Sequence, residues 1–560
     1  MLIDIHFRAM SDGIHPASGK LREETCRKPE TLAAEMDGIY DWKGKRMEKE
    51  ASERIWGRAA GILMPVFALP GAYGIGTLGK EAYGFVDFLA ESGQTYWQVL
   101  PIGPTGYGDS PYQSFSTFAG NPYFIDLETL IDEELLTREE CDTVDFGADA
   151  SKISYEKLYL GRFPLLLKAF GRFEERTSGE GNVAPDAEEK EAYRQFIRHT
   201  VHWLPAYAQF MAAKTDYPED FYRFTQYEFD RQWKRLRAYA NEKGIAIIGD
   251  IPIYVSSDSV DFTEHPELFQ LDEEGQPKQI AGCPPDSFSA TGQLWGNPVY
   301  DWSYHKETGY HWWIARMRRC FDLFDVVRVD HFRGFDEYYA IPAGASDATG
   351  GHWEKGPGID LFNALKAALG EKRIIAEDLG YVTDTVRKLV EDTGYPGMKL
   401  LEFGFDSRES GDYRPCTWPV NAVCYTGTHD NQTLAAWVRE ISPVDRDFAI
   451  RYYSAWKQGK GEEVNVRPRP EAELAEDRSV TRDFLQSDYT DALIQMTLAA
   501  KPETAIIPMQ DYLGLGAEAR INTPSTLGQN WTFRFIEEDF SKECAEKIRR
   551  MTEESQRSRK

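Results

Sequence analysis

The residues with the most chemical capacity crowd into "DVVRVDHFRG", positions 325–334, where a run of valines gives way to Asp330, His331 and Arg333. Valines flanking Arg328 read as a buried strand, so the charge arrives where that strand stops. Similar endings recur: Asp250 closes "IAIIGD", Glu377 and Asp378 close "RIIAED", and His429 and Asp430 follow "NAVCY" in "TGTHDN". An Asp in such a place often does no more than cap the next helix. Carboxylates brought to one rim by several strands are another matter, because paired acids can do nucleophilic and acid–base work.

A spacing of two puts Arg328 and Asp330 on the same side of a strand, where the guanidinium would help keep Asp330 ionised. Glu377, on the neighbouring strand, could then keep its proton. One carboxylate that attacks and one acid that donates form the pair needed for retaining glycoside chemistry, with carboxyl groups about 5 to 5.5 Å apart. Acids at strand ends can instead hold Mg²⁺ in a lyase or isomerase. The loops favour a sugar: "PTGYGDSPYQSFSTFAGNPY" and "SATGQLWGNPVYDWSY" are dense in aromatics, amides and hydroxyls, which suit a neutral polyhydroxylated ring better than a phosphate. Tyr107, Tyr112 and Trp295 stand among Gly, Pro and Ser, which reads as loop rather than core.

The elements that must position these groups are short apolar runs beginning at Ile62, Thr95, Ile245, Asp325, Arg373, Met398, Asn421 and Thr504. Such runs lack alternation, as expected of parallel strands covered on both faces, and helical stretches such as "KEAYGFVDFLAESG" lie between them. The pattern predicts an α/β fold, a (β/α)₈ TIM barrel spanning 56–540, with mainly helical insertions at about 101–243, 252–305 and 433–489. Residues 1–55 are polar and mixed in charge and read as a poorly ordered N-terminal extension; 541–560 read as a C-terminal tail.

Composition narrows the function. With 42% hydrophobic residues among 560, the chain is globular, and no apolar run approaches the roughly 18 residues of a membrane span. A net charge of −27 repels nucleic-acid phosphates and anionic membranes. The N-terminus has no secretory pattern, so a cytoplasmic location is expected. The seven cysteines are scattered, without C-x-x-C spacing, and predict neither a disulfide framework nor a zinc site.

In order along the chain, "DSPYQSFSTFAGNPY", "GDIPIYV", "GCPPDSFSATGQLWGNPVYDW", "RVDHFRGF", "AEDLG", "YTGTHDN" and "INTPSTLGQNWTFR" resemble the amylomaltase family of 4-α-glucanotransferases, relatives of the α-amylases, from about Gly61 to Phe535. The resemblance implies an enzyme that cuts an α-1,4-glucan and passes the released segment to the 4-hydroxyl of a second glucan, without a cofactor or metal. Maltooligosaccharides and α-1,4-glucans are the expected partners. Carried onto matching positions, Asp330 would be the nucleophile and Glu377 the acid and then the base. Asp430 would stabilise the oxocarbenium-like transition state, supported by Arg328 and His429. Tyr107, Ser110 and Tyr112 match a glucan-contacting loop. Asp286, Gln293 and Trp295 match a loop over the cleft, and Asn530 matches a polar contact near the end of the barrel. For Asp250 a sugar contact and a structural hydrogen bond both stay open. Cys416, Thr417, Trp418 and Gln432 depart from the family pattern and put acceptor preference in question. A hydrolase of the same fold and an inactive glucan-binding barrel are the competing readings.

Overall fold

Eight short parallel strands close into a barrel in the computed structural model: β1 (Ala59–Leu63), β2 (Tyr96–Gln98), β3 (Ala246–Ile251), β4 (Val326–Val329), β5 (Ile374–Ala376), β6 (Gly397–Leu400), β7 (Ala422–Tyr425) and β8 (Thr504–Pro508). Their order around the barrel is their order in the chain, and β8 pairs back onto β1 from Ala59 opposite Thr504 to Leu63 opposite Pro508. The structure describes residues 57–559 apart from 107, 179–185, 286–288, 381, 409–410, 461–465, 477–483, 486–487 and 527. The expected extension, 1–55, lies outside the described residues.

Each predicted apolar run forms one strand of this barrel. All five residues of β1 and all six of β3 are buried, as a strand lined by barrel interior on one side and helices on the other must be. On the helix Lys80–Glu91, Ala82, Phe85, Val86 and Leu89 make the stripe that faces inward. Gly249 on β3 admits close packing: a Cβ there would sit 2.1 Å from the ring of Phe324.

The long β2–β3 connection contains the helices Tyr155–Ser178, Ala187–His199, Leu204–Lys214 and Glu219–Glu242. The last of these returns the chain to β3 and is anchored where Trp233 Nε1 donates to the Leu323 carbonyl at 2.9 Å. On it, Gln226 grips Gly120 through both amide atoms, accepting from its N–H at 2.7 Å and donating to its carbonyl at 2.8 Å. This fixes the loop that carries Tyr112.

A four-stranded antiparallel sheet, in the order Gln293–Pro298, Gln279–Cys283, Glu337–Pro342, His352–Lys355, joins the connection after β3 to the one after β4. Residues 541–560, expected to be a tail, instead hold a helix, Lys542–Glu554, that buries Ala545, Ile548, Met551 and Thr552. Its narrow apolar stripe is interrupted by charge, which hides the helix in the sequence. Beyond it, Arg557 donates to the carbonyls of Ala59, Leu498, Ala500, Pro502 and Glu503, across the seam where β8 meets β1. Among the described residues no helix is long and apolar enough to cross a membrane.

Candidate active site

The carboxylates gather at the C-terminal ends of the strands because the barrel register puts them there. Asp250 lies opposite Arg328 in the β3–β4 ladder, and Val329 lies opposite Ala376 in the β4–β5 ladder. Asp330 and Glu377 are therefore on the next rung, on strands about 4.8 Å apart. That rung is locked by the Asp330 N–H donating to the Ile251 carbonyl at 2.9 Å and the Glu377 N–H donating to the Val329 carbonyl at 3.1 Å.

Arg328 is the hub. Its Nη1 reaches both oxygens of Asp250 at 2.8 Å, and its Nη2 reaches Asp330 Oδ1 at 3.0 Å. Its Nε approaches Met398 Sδ at 3.5 Å. The side chains of Arg328 and Asp250 are 4% and 0% exposed, whereas Asp330 keeps 28%, so the nearer acid faces the cleft and the deeper one faces the protein. Of the two readings open for Asp250, the internal hydrogen-bonded one matches its placement. Its remaining bond comes from Tyr112 Oη, which donates to Oδ2 at 2.8 Å.

Glu377 is held by backbone. The His331 N–H donates to Oε2 at 2.7 Å and the Leu379 N–H to Oε1 at 3.0 Å. The first bond requires an unusual turn: His331 has φ 50°, in the left-handed region that costs a residue with a side chain energy. Burial lifts both carboxyls above their ordinary range. The Asp330 carboxylate adds to the rise of Glu377, and the guanidinium of Arg328 opposes the rise of both while touching Asp330 directly. Arg328 opposes the rise of Asp330 without cancelling it, since it is shared with Asp250. One proton on this pair therefore belongs first to Glu377.

Asp430 comes from the same rim, beyond β7, with its side chain 46% exposed. Asn522 Nδ2 donates to its Oδ1 at 2.6 Å and Arg520 donates to its carbonyl at 2.7 Å. His429 is buried and stacks on Tyr112 with ring centroids 5.0 Å apart; Trp531 closes against both rings at 6.0 and 5.9 Å. Burial pushes the His429 imidazole below its ordinary value.

On the β3 side, Trp295 is half-buried, its ring edge-on to His331 at 4.8 Å and its Nε1 donating to Gln293 Oε1 at 3.1 Å. Other predicted residues serve their own loops. Ser110 Oγ accepts from the Tyr112 N–H at 3.3 Å, and Asn530 spends its side chain on Thr523 and Thr526. Tyr107 and Asp286 lie outside the described residues. Trp418 is buried, donating to the Tyr413 carbonyl at 2.8 Å, and Gln432 donates to Glu440 at 3.0 Å. Asn522, Arg520 and Trp531 carry no individual signal in the sequence, although Asn522 and Trp531 stand inside "INTPSTLGQNWTFR".

Comparison with known proteins gives this geometry a lineage. A family model described as 4-alpha-glucanotransferase matches residues 64–220 and 214–538. The 4-alpha-glucanotransferase of Streptococcus pneumoniae is 44% identical over 515 residues, covering 86% of this chain and 94% of the relative. That of Thermus thermophilus is 40% identical over 531 residues, covering 89% and 99%. Among solved structures, the amylomaltase from Streptococcus agalactiae in complex with acarbose superposes with a TM-score of 0.79 at 36% identity, covering 90% of this chain and 100% of that one. With the barrel, its rim of acids and these likenesses in agreement, the chain belongs to the 4-alpha-glucanotransferase family.

Proposed function

We propose that the cleft at the C-terminal end of the barrel carries out 4-α-glucanotransfer on α-1,4-glucans by double displacement, with Asp330, Glu377 and Asp430 as its reacting and stabilising groups. The observation that carries this reading is the asymmetric pair: Asp330 beside Arg328 at 3.0 Å, and Glu377 one rung away with its carboxyl lifted by burial and by Asp330.

In the first step an Asp330 oxygen bonds to the anomeric carbon while the glycosidic C–O bond breaks, and the Glu377 proton passes to the departing 4-oxygen. Arg328 occupies Oδ1 of Asp330, and Oδ2 has no hydrogen-bond partner among the described residues, so Oδ2 is the oxygen available to attack. Glu377, now anionic, takes the proton of the acceptor 4-hydroxyl as that oxygen bonds to the anomeric carbon and the ester to Asp330 breaks. Two inversions give net retention. Asp430, held by Asn522, faces the sugar bound there and favours the positive charge that develops at its ring. The Tyr112 ring, backed by His429, and the half-buried Trp295 supply apolar faces for glucose rings.

The proposal includes a cytoplasmic location, supported by six described cysteines that are all free thiols. Maltotriose tests the function: following total reducing ends and product lengths together, transfer gives longer oligosaccharides and glucose at constant reducing ends. Rising reducing ends without longer products would make the protein a hydrolase instead.

A further inference from the structure

Two buried carboxyl groups with no part in the proposed chemistry lie behind the loop that carries Asp430. Glu402 follows β6 and Asp511 follows β8, and they are 7% and 2% exposed. Asp511 ties down both ends of the loop, accepting from Thr426 Oγ1 at 2.6 Å and from the Leu434 N–H at 2.8 Å. Glu402 holds the middle. Its Oε2 accepts from Asn431 Nδ2 at 3.0 Å, and Asn431 Oδ1 accepts from the N–H and Oγ1 of Thr428 at 3.0 and 2.9 Å. Thr428 Oγ1 in turn accepts from the Asp430 N–H at 3.4 Å. Because the Thr428 N–H fixes which end of the Asn431 amide is oxygen, the NH₂ must point at Glu402, and only an acceptor there completes the chain.

The other oxygen of Glu402 has a different environment. Oε1 is buried without a hydrogen-bond partner among the described residues and faces Gly427, where a Cβ would stand 3.0 Å from it. Burial, and then the Asp511 carboxyl, push Glu402 well above the ordinary carboxylate range; the hydrogen bond from Asn431 and then Arg520 oppose this, and Glu440 adds to it. A charge on an unpartnered buried oxygen is far more costly than a neutral acid in the same place.

We infer that Glu402 is a positioning residue for the transfer reaction: through Asn431 and Thr428 it sets where Asp430 stands above the cleft. The inference rests on the proposed role of Asp430, and its chemistry is that of a fixed acceptor, with no proton moved during turnover.

The test measures kcat and KM for maltotriose disproportionation, together with the melting midpoint, in the parent, E402L, E402Q and D430N. Misplacing a catalytic group by about 1 Å costs on the order of 100-fold, so E402L should lose kcat on that scale with KM within about twofold. E402Q keeps a neutral acceptor of the same shape and should restore kcat to within about threefold of the parent. A folded E402L with parental kcat, whatever its melting midpoint, overturns the inference, and so does an E402Q as slow as E402L. Should E402L not fold, Asn431→Ala cuts the same chain at a half-buried residue, and parental kcat there overturns it equally. D430N separates the two readings. If D430N turns over like the parent, the role of Asp430 falls and this inference with it; an inactive D430N beside a parental E402L removes this inference alone.

Discussion

Arg328 gives both oxygens of Asp250 one nitrogen at 2.8 Å and leaves Asp330 a single contact at 3.0 Å. The deeper acid thus takes the larger share of the only guanidinium that, among the described residues, touches the cleft acid, and Asp250 also adds its own negative charge, which raises Asp330 further. Asp250→Asn should reverse both effects. The Asp330 carboxyl should fall, and the acidic limb of the kcat/KM profile, where Asp330 takes up a proton and ceases to attack, should move to lower pH by on the order of one unit. The sign is specific: a limb that stays in place or moves up would show that Asp250 does not govern Asp330.

Glu377 should show itself through the leaving group. Glu377→Gln removes the proton donor, and with maltotriose the rate should fall by about 10² to 10⁴. A glycosyl fluoride needs no protonated leaving group, so with maltosyl fluoride the first step should persist while the second, deprived of its base, stalls. Mass spectrometry of that variant should find one maltosyl unit added to the protein, on the peptide containing Asp330. The Asp330→Asn protein should gain no such mass under the same conditions. On the alkaline side, activity of the parent should decline as Glu377 loses its proton, at a pH far above the ordinary glutamate range because burial and Asp330 hold the proton on.

Tyr112 contributes a ring and a hydroxyl that can be separated. The hydroxyl donates to Asp250 Oδ2 at 2.8 Å, and the ring stacks on His429 at 5.0 Å. Tyr112→Phe removes one of several bonds to a buried carboxylate and should cost roughly 1.5 to 3 kcal/mol of transition-state stabilisation at most, visible mainly in kcat. Tyr112→Ala also removes the stacking face and should raise KM for maltotriose in addition. Equal kinetics in the two variants would show that the ring does nothing beyond holding its hydroxyl.

The sequence reveals these acids more readily than their supports. Strand ends are legible because apolar runs stop abruptly at Asp250, Asp330 and Glu377, and a parallel barrel sends every such ending to one rim. Arg328 is legible for the same reason, through the two-residue period. Arg520 and Asn522 are not, because they meet Asp430 through tertiary folding, and no periodicity links segments so far apart. Glu402 stands near the end of the run "MKLLEF" as one more acid, and nothing local shows that it is buried beside Asp511. The sheet built from Gln293–Pro298, Gln279–Cys283, Glu337–Pro342 and His352–Lys355 escapes for a related reason. Its strands come from two different connections, and each makes sense only when paired with the others. The terminal helix escaped because its apolar stripe is narrow and its sequence largely charged.

The segment just after that helix matters to stability rather than to chemistry. Arg557, fully buried, spends its guanidinium on five carbonyls, among them Ala59 at the start of β1 and Glu503 just before β8. A closed barrel has no free edge only while its last strand stays against its first. The N-terminal end of that seam is where Arg557 sits, remote from the cleft at the C-terminal ends. Arg557→Met should leave those carbonyls short of donors and destabilise the fold by on the order of 3 kcal/mol, lowering the melting midpoint by several degrees. The folded fraction should keep parental kcat and KM, since no residue of the cleft touches Arg557. Calorimetry and maltotriose kinetics on one preparation check both halves: a variant that melts like the parent would mean that water serves the carbonyls as well as the guanidinium does, and a stable variant with altered kcat would mean that the seam at the bottom of the barrel reaches the acids at its top.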